Sequence, residues 1–162
     1  MSHVQGVHHI AVSVPDLDVA RRFYVDLLGA TEVSAVDWER GNAAINEILG
    51  LPDSAARQFI VRLGNTYIEA FEYLEPRSPP QDPDRPVNLC GYTHFAIQVD
   101  DIDAVHERMV AAGIRFHVPP PPGGPDDTDG AKTGMRATYG RDFFGNVFEL
   151  IEMNRDSAIA PL

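Results

Sequence analysis

Cysteine is all but missing from this chain of 162 residues: Cys90 stands alone. One thiol cannot close an internal disulfide or make a clustered thiolate metal site by itself, so a reducing, cytoplasmic setting is expected. Basic residues are scarce as well. The 13 Lys and Arg are outnumbered by 24 Asp and Glu, a formal net charge of −11. That balance disfavours nucleic acid and anionic membrane as partners, because a phosphate surface is held by clustered cations. Long apolar runs are missing: no stretch approaches the roughly 18 to 20 residues of a spanning helix. The N-terminus has no basic segment leading into an apolar one, as a secretion signal would. Polar low-complexity tracts are missing too, and with 44% apolar residues the chain is expected to fold over most of its length.

What is present is a strand pattern with an odd histidine. In GVHHIAVSVPD, residues 6 to 16, neighbouring side chains of a strand point to opposite faces. His8, Ile10, Val12 and Val14 then share the apolar side, and His9, Ala11 and Ser13 share the other. The pattern recurs. GVHHIAVSVPDLD (6 to 18) and GYTHFAIQVDDID (91 to 103) align at a uniform offset of 85, with six of thirteen positions identical, His9 and His94 among them. Each copy runs on into a helical stripe with an aspartate N-cap, Asp16 or Asp101, and a glycine stop, Gly29 or Gly113. Each also ends alike, in GNTYIEAFEY (64 to 73) and GNVFELIEM (145 to 153), strand-like runs that carry Glu69/Glu72 and Glu149/Glu152 at the same spacing.

Between helix and terminal strand each half has room for two more strands, around TEVSAVDWE and RQFIVRL in the first and RFHV and MRATYG in the second. NAAINEILGLP reads as an inserted helical turn. The expected organisation is a single α+β domain, 1–162, built of two tandem βαβββ modules, 3–75 and 90–154. A proline-rich connector, 76–89, joins them. Halves this small are poor independent domains, so they are expected to share one sheet system. Pseudo-symmetry would then set His9 and His94 opposite one another, with Glu69 and Glu149 completing a ring. Two imidazoles and two carboxylates suit a borderline divalent cation: Ni, Co, Zn, Mn or Fe(II). Such a shell would leave two positions where a substrate with neighbouring oxygens can chelate.

The landmarks HHIAVSVPDLDVARRFYVDLLG, YTHFAIQVDDIDAV and GRDFFGNVFELIE resemble those of the vicinal oxygen chelate superfamily, which includes glyoxalase I, methylmalonyl-CoA epimerase, extradiol dioxygenases and fosfomycin or bleomycin resistance proteins. The resemblance covers nearly the whole chain. It implies a cup-shaped mixed sheet around a metal, a homodimer, and His9, Glu69, His94 and Glu149 as ligands, a set similar to that of bacterial glyoxalase I. Extradiol dioxygenases and fosfomycin-modifying enzymes use only two histidines and one glutamate, so Glu69 points to proton transfer next to a metal-chelated carbonyl of a small-molecule substrate, as in a lyase, isomerase or epimerase. Glu149 is the first choice for the base, with Glu69 as its partner. Two alternatives stay open: an Fe(II) extradiol-type dioxygenase in which Glu69 does not touch the metal, and a non-catalytic antibiotic-binding protein.

Tyr139, ten residues before Glu149, matches the place of an active-site tyrosine in extradiol dioxygenases and is a substrate-binding candidate. Glu72 and Glu152 fall on the opposite face and are expected to be exterior. His8 is expected to pack on the apolar face; His3, His106 and His117 are expected at the surface without partners. Arg62, Arg136 and Arg141 are the cations nearest the site in sequence, too few to favour a CoA substrate. PPPPGGPDDTDGAKTG (119–134) lacks calcium-loop spacing and reads as a polyproline loop, either over the cavity or free in solvent.

Overall fold

The computed structural model describes residues 3–123, 134–155, 157 and 159–162; most of the 119–134 loop lies outside the described residues. The chain divides into two compact units, Met1–Pro80 and Gln81–Leu162. In the first, β1 (His9–Ser13) leads to α1 (Leu17–Arg21), which continues as a π-helical segment (Arg22–Leu27). Then come β2 (Thr31–Trp38), α2 (Ala43–Leu49), β3 (Ala55–Leu63) and β4 (Thr66–Glu75). The second unit holds β5 (His94–Gln98), α3 (Ile102–Ala111), β6 (Arg115–Phe116), β7 (Met135–Arg141) and β8 (Val147–Met153). Strand order is β1-β4-β3-β2 in one sheet and β5-β8-β7-β6 in the other, with the first strand of each parallel to the last. Both units are therefore βαβββ modules of an α+β fold, the first enlarged by α2.

The caps form as their residue types dictate. Asp16 accepts from the N–H groups of Asp18 and Val19, and Asp101 from that of Ala104. Gly29 and Gly113 turn the chain out of the helices at φ of 71° and 92°, a region where a side chain is strained. Because Asp101 satisfies an otherwise orphaned donor at the start of α3, Asp101→Ala is expected to cost about 1 kcal/mol, read as a lowered urea midpoint at unchanged m-value.

Each sheet has one dry face. Phe59, Val61, Ile68 and Ala70 are wholly buried in unit 1 with Leu17, Ala20 and Phe23 of the helical stretch, and α1 lies against β3 and β4. In unit 2, Phe148, Leu150, Ile102 and Met109 form the corresponding layer. The DFFGN turn between β7 and β8 closes on Asp142, whose carboxylate accepts N–H bonds from Phe144 and Asn146, each 2.9 Å. Burial nonetheless pushes the Asp142 carboxyl up, with these bonds opposing. Among the described residues no helix is long and apolar enough to cross a membrane.

Candidate functional site

The face of each sheet turned away from its helix carries the histidine and the glutamate. In unit 1, β1 and β4 run parallel with Ala11 opposite Glu69 and His9 opposite Tyr67. His9 is thus diagonal to Glu69, and its Nε2 lies 3.2 Å from Glu69 Oε2. The amide of Gln58 on β3 donates to the other oxygen, Oε1. Trp38, Phe71 and Tyr73 form an aromatic cluster with centroids 5.7 to 6.3 Å apart. Burial, and then the charge of Glu69, push the Tyr73 hydroxyl up.

His8 departs from its expected place. It is exposed, stacks on Tyr67 at 5.2 Å and meets His9 through their Nδ1 atoms, 2.9 Å apart. β1 begins only at His9, so the alternation that would have sent His8 into the core does not extend back to it.

Unit 2 repeats the geometry. Ala96 pairs with Glu149 across β5 and β8, and His94 Nε2 lies 3.2 Å from Glu149 Oε2. Tyr139, directly opposite Glu149 on β7, places its hydroxyl 3.4 Å from His94 Nε2, while Thr93 Oγ1 is 2.9 Å from His94 Nδ1. His117, expected to have no partner, stands beside Tyr139: its N–H donates to the Tyr139 carbonyl at 2.9 Å and the two rings meet edge to face at 6.0 Å. His106 also has a partner, the ring of Phe116 at 4.5 Å.

The donor chemistry fits a divalent ion at either pair. Bonds of about 2.1 Å to an imidazole nitrogen and a carboxylate oxygen would place those atoms about 3.0 Å apart at a right angle and about 3.4 Å apart at the tetrahedral angle. The observed 3.2 Å lies between. The four expected ligands stand as two His–Glu pairs. Among the described residues no group of three or more His, Cys, Asp or Glu side chains gathers at one point.

The second glutamate of each terminal strand lies on the helix side, as expected, yet it is not exterior. Glu72 accepts from the Leu17 N–H at the start of α1, at 3.2 Å, and from Arg57. Glu152 accepts from Arg136 at 3.0 Å, and Arg136 also holds both oxygens of Asp103 in the first turn of α3. These carboxylates tie strand to helix; a cross-strand arginine leaves no trace in alternation alone. Arg141 is committed as well, donating to the carbonyls of Gly145 and Arg85, each at 3.0 Å. Arg62 points to the carbonyl of Gly64.

Residues 6–150 match the model of the Glyoxalase/Bleomycin resistance protein/Dioxygenase superfamily. A 2-epi-5-epi-valiolone epimerase from Actinomyces sp is 34% identical over 160 residues, covering 91% of this chain and 79% of that protein. The mitochondrial methylmalonyl-CoA epimerase of Mus musculus is 34% identical over 109 residues, covering 67% of this chain but only 54% of the relative's length. A glyoxalase family protein from Bacillus cereus shares the fold at a TM-score of 0.78 and 21% identity, covering 94% of this chain and 96% of that one. So does a fosfomycin resistance protein from Listeria monocytogenes crystallised with Mn(II) and sulfate, at a TM-score of 0.61 and 17% identity over 95% and 97% of the two chains. With its fold, its duplicated module and a family match across most of its length in agreement, the chain belongs to the Glyoxalase/Bleomycin resistance protein/Dioxygenase superfamily.

Proposed function

We propose that the chain is a divalent-metal-dependent epimerase, moving a proton at the carbon next to a carbonyl of a small-molecule substrate. The proposed metal ligands are the two His–Glu pairs, His9 with Glu69 and His94 with Glu149; Ni, Co, Zn, Mn and Fe(II) all suit those donors. The observation that carries the reading is the His–Glu pair, present twice at the same 3.2 Å separation. The epimerase that matches 91% of the chain supports it.

A bound divalent ion supplies Lewis-acid polarisation of the carbonyl oxygen. The rest is done by the chain. Glu149 takes the proton from carbon through a carboxylate oxygen, and Glu69 is the second carboxyl group, able to return one. Gln58 fixes the rotamer of Glu69 by holding Oε1, which leaves Oε2 toward His9. The Tyr139 hydroxyl lies beside His94, where it can hydrogen-bond a substrate oxygen.

The test is deuterium incorporation. Purified protein loaded in turn with each metal is incubated in D2O with 2-epi-5-epi-valiolone or methylmalonyl-CoA and followed by NMR. Metal-dependent exchange of one substrate C–H is expected, together with a bound ion that is lost from the Glu69→Gln variant. No exchange with any metal defeats the reading. The tyrosine beside His94 favours a dioxygenase as the second reading, which predicts oxygen uptake with a catechol on the iron-loaded protein, insensitive to Glu69.

A further inference from the structure

The two units match at the His–Glu pair and differ immediately beside it. Across the sheet of unit 1, the row through the glutamate reads Ala11, Glu69, Ile60, Ser34. Across unit 2 it reads Ala96, Glu149, Tyr139, and then His117. The last step follows from register: Arg115 pairs with Arg141 and Phe116 with Gly140, and the His117 N–H bond to the Tyr139 carbonyl continues the series. Phe116 points the other way, against the buried Phe148 at 5.7 Å. His117 therefore shares the face of Glu149 and Tyr139, and it is exposed.

Ile60 and Ser34 occupy the same row in the sister module, so the fold does not require a phenol and an imidazole here. Neither is a core residue. Tyr139 and His117 present directional hydrogen-bonding groups within about 10 Å of the Glu149 strand, two strand spacings. The guanidinium groups of β7, the strand of Tyr139, cannot supplement them with charge, because Arg136 is held by Asp103 and Glu152 and Arg141 by two carbonyls.

We infer that His117 and Tyr139 form a substrate subsite that hydrogen-bonds a hydroxyl or carbonyl oxygen, and that His117 selects an uncharged, hydroxylated carbonyl compound over a phosphate-bearing thioester. The inference rests on the epimerase reading for the identity of the reaction, but the binding it describes is separable from turnover. Imidazole can donate or accept, and its distance from the glutamate suits a compact ring-sized molecule whose reacting carbon lies at Glu149.

The experiment titrates metal-free protein, labelled at histidine ring nitrogens, with the hydroxylated ketone 2-epi-5-epi-valiolone and separately with methylmalonyl-CoA. A ligand-dependent shift of the His117 resonances is expected with the ketone only. His117→Phe should weaken the ketone's binding about tenfold, the effect of losing one hydrogen bond, and in the metal-loaded enzyme should raise KM with kcat little changed and metal content unaltered. His117→Asn should recover much of the affinity. Unperturbed His117 resonances, equal binding by His117→Phe, or tighter binding of the thioester would overturn the subsite. A His117-dependent shift without any deuterium exchange would leave the subsite standing and remove the epimerase reading; exchange indifferent to His117→Phe would do the reverse.

Discussion

Glu149→Gln is expected to lower metal-dependent deuterium exchange by about 10²- to 10⁴-fold, the range that a positioned general base contributes. The substitution is nearly isosteric. A carboxamide can still occupy the place beside His94, where the carboxylate now sits at 3.2 Å, but it cannot take a proton from carbon. It is also a weaker donor to a divalent ion. The melting temperature should stay close to that of the parent, since the carboxylate faces away from the buried Phe148 and Leu150 layer. Three measurements on the variant separate the roles: exchange rate, bound metal by elemental analysis, and Tm. Loss of exchange with metal retained marks Glu149 as the base, whereas loss of both marks it as a ligand first. Exchange within a few fold of the parent would refute a base at this position.

The largest effect on stability is expected on the other face of the same sheet. Arg136 is 6% exposed and makes bonds of 2.9 to 3.0 Å to Asp103, Glu152 and the carbonyl of Pro121. Arg136→Leu would leave the Glu152 carboxylate, 12% exposed in its side chain, without its cation. Removing one partner of a buried ion pair costs about 3–5 kcal/mol. Arg57→Leu, at the matching place in unit 1, should cost only about 1 kcal/mol: Arg57 is 38% exposed and Glu72 keeps the Leu17 N–H. Adding Glu152→Leu to Arg136→Leu should recover much of the loss, because the stranded charge goes with it.

The same cluster has a pH signature. The Arg136 hydrogen bonds hold the Asp103 carboxyl below the ordinary aspartate range. A carboxyl with a depressed folded value contributes stability that is present above its unfolded pKa and is lost as pH falls through the folded one. Urea midpoints measured from neutral pH down to about pH 3 should therefore fall less steeply in Arg136→Leu than in the parent. An unchanged acid-side slope would show that the Arg136–Asp103 contact does not persist in solution.

Much of this architecture was legible without coordinates. The repeat of GVHHIAVSVPD in GYTHFAIQVDD announced two modules, because a duplicated strand–helix unit keeps its caps and its alternation. Asp16, Asp101, Gly29 and Gly113 act locally, through bonds and dihedrals within a few residues, so their roles follow from identity and position. The face bearing His9 and the face bearing Ile10 differ by one residue, and a period of two reads that directly.

Contacts between strands were another matter. His117 follows directly on a strand of only two residues, Arg115–Phe116, too short for alternation to show, and its neighbour Tyr139 is 22 positions away. Only the hydrogen-bonded register puts them side by side. The arginine clamps on Glu72 and Glu152 likewise depend on which residue of β3 or β7 falls opposite. The sequence alone determined the duplicated module, its helix ends and the polar face of each first strand, since local sterics and hydrophobic periodicity set these. Tertiary pairing decided what each glutamate and histidine touches, because register is fixed by whole sheets rather than by any one segment.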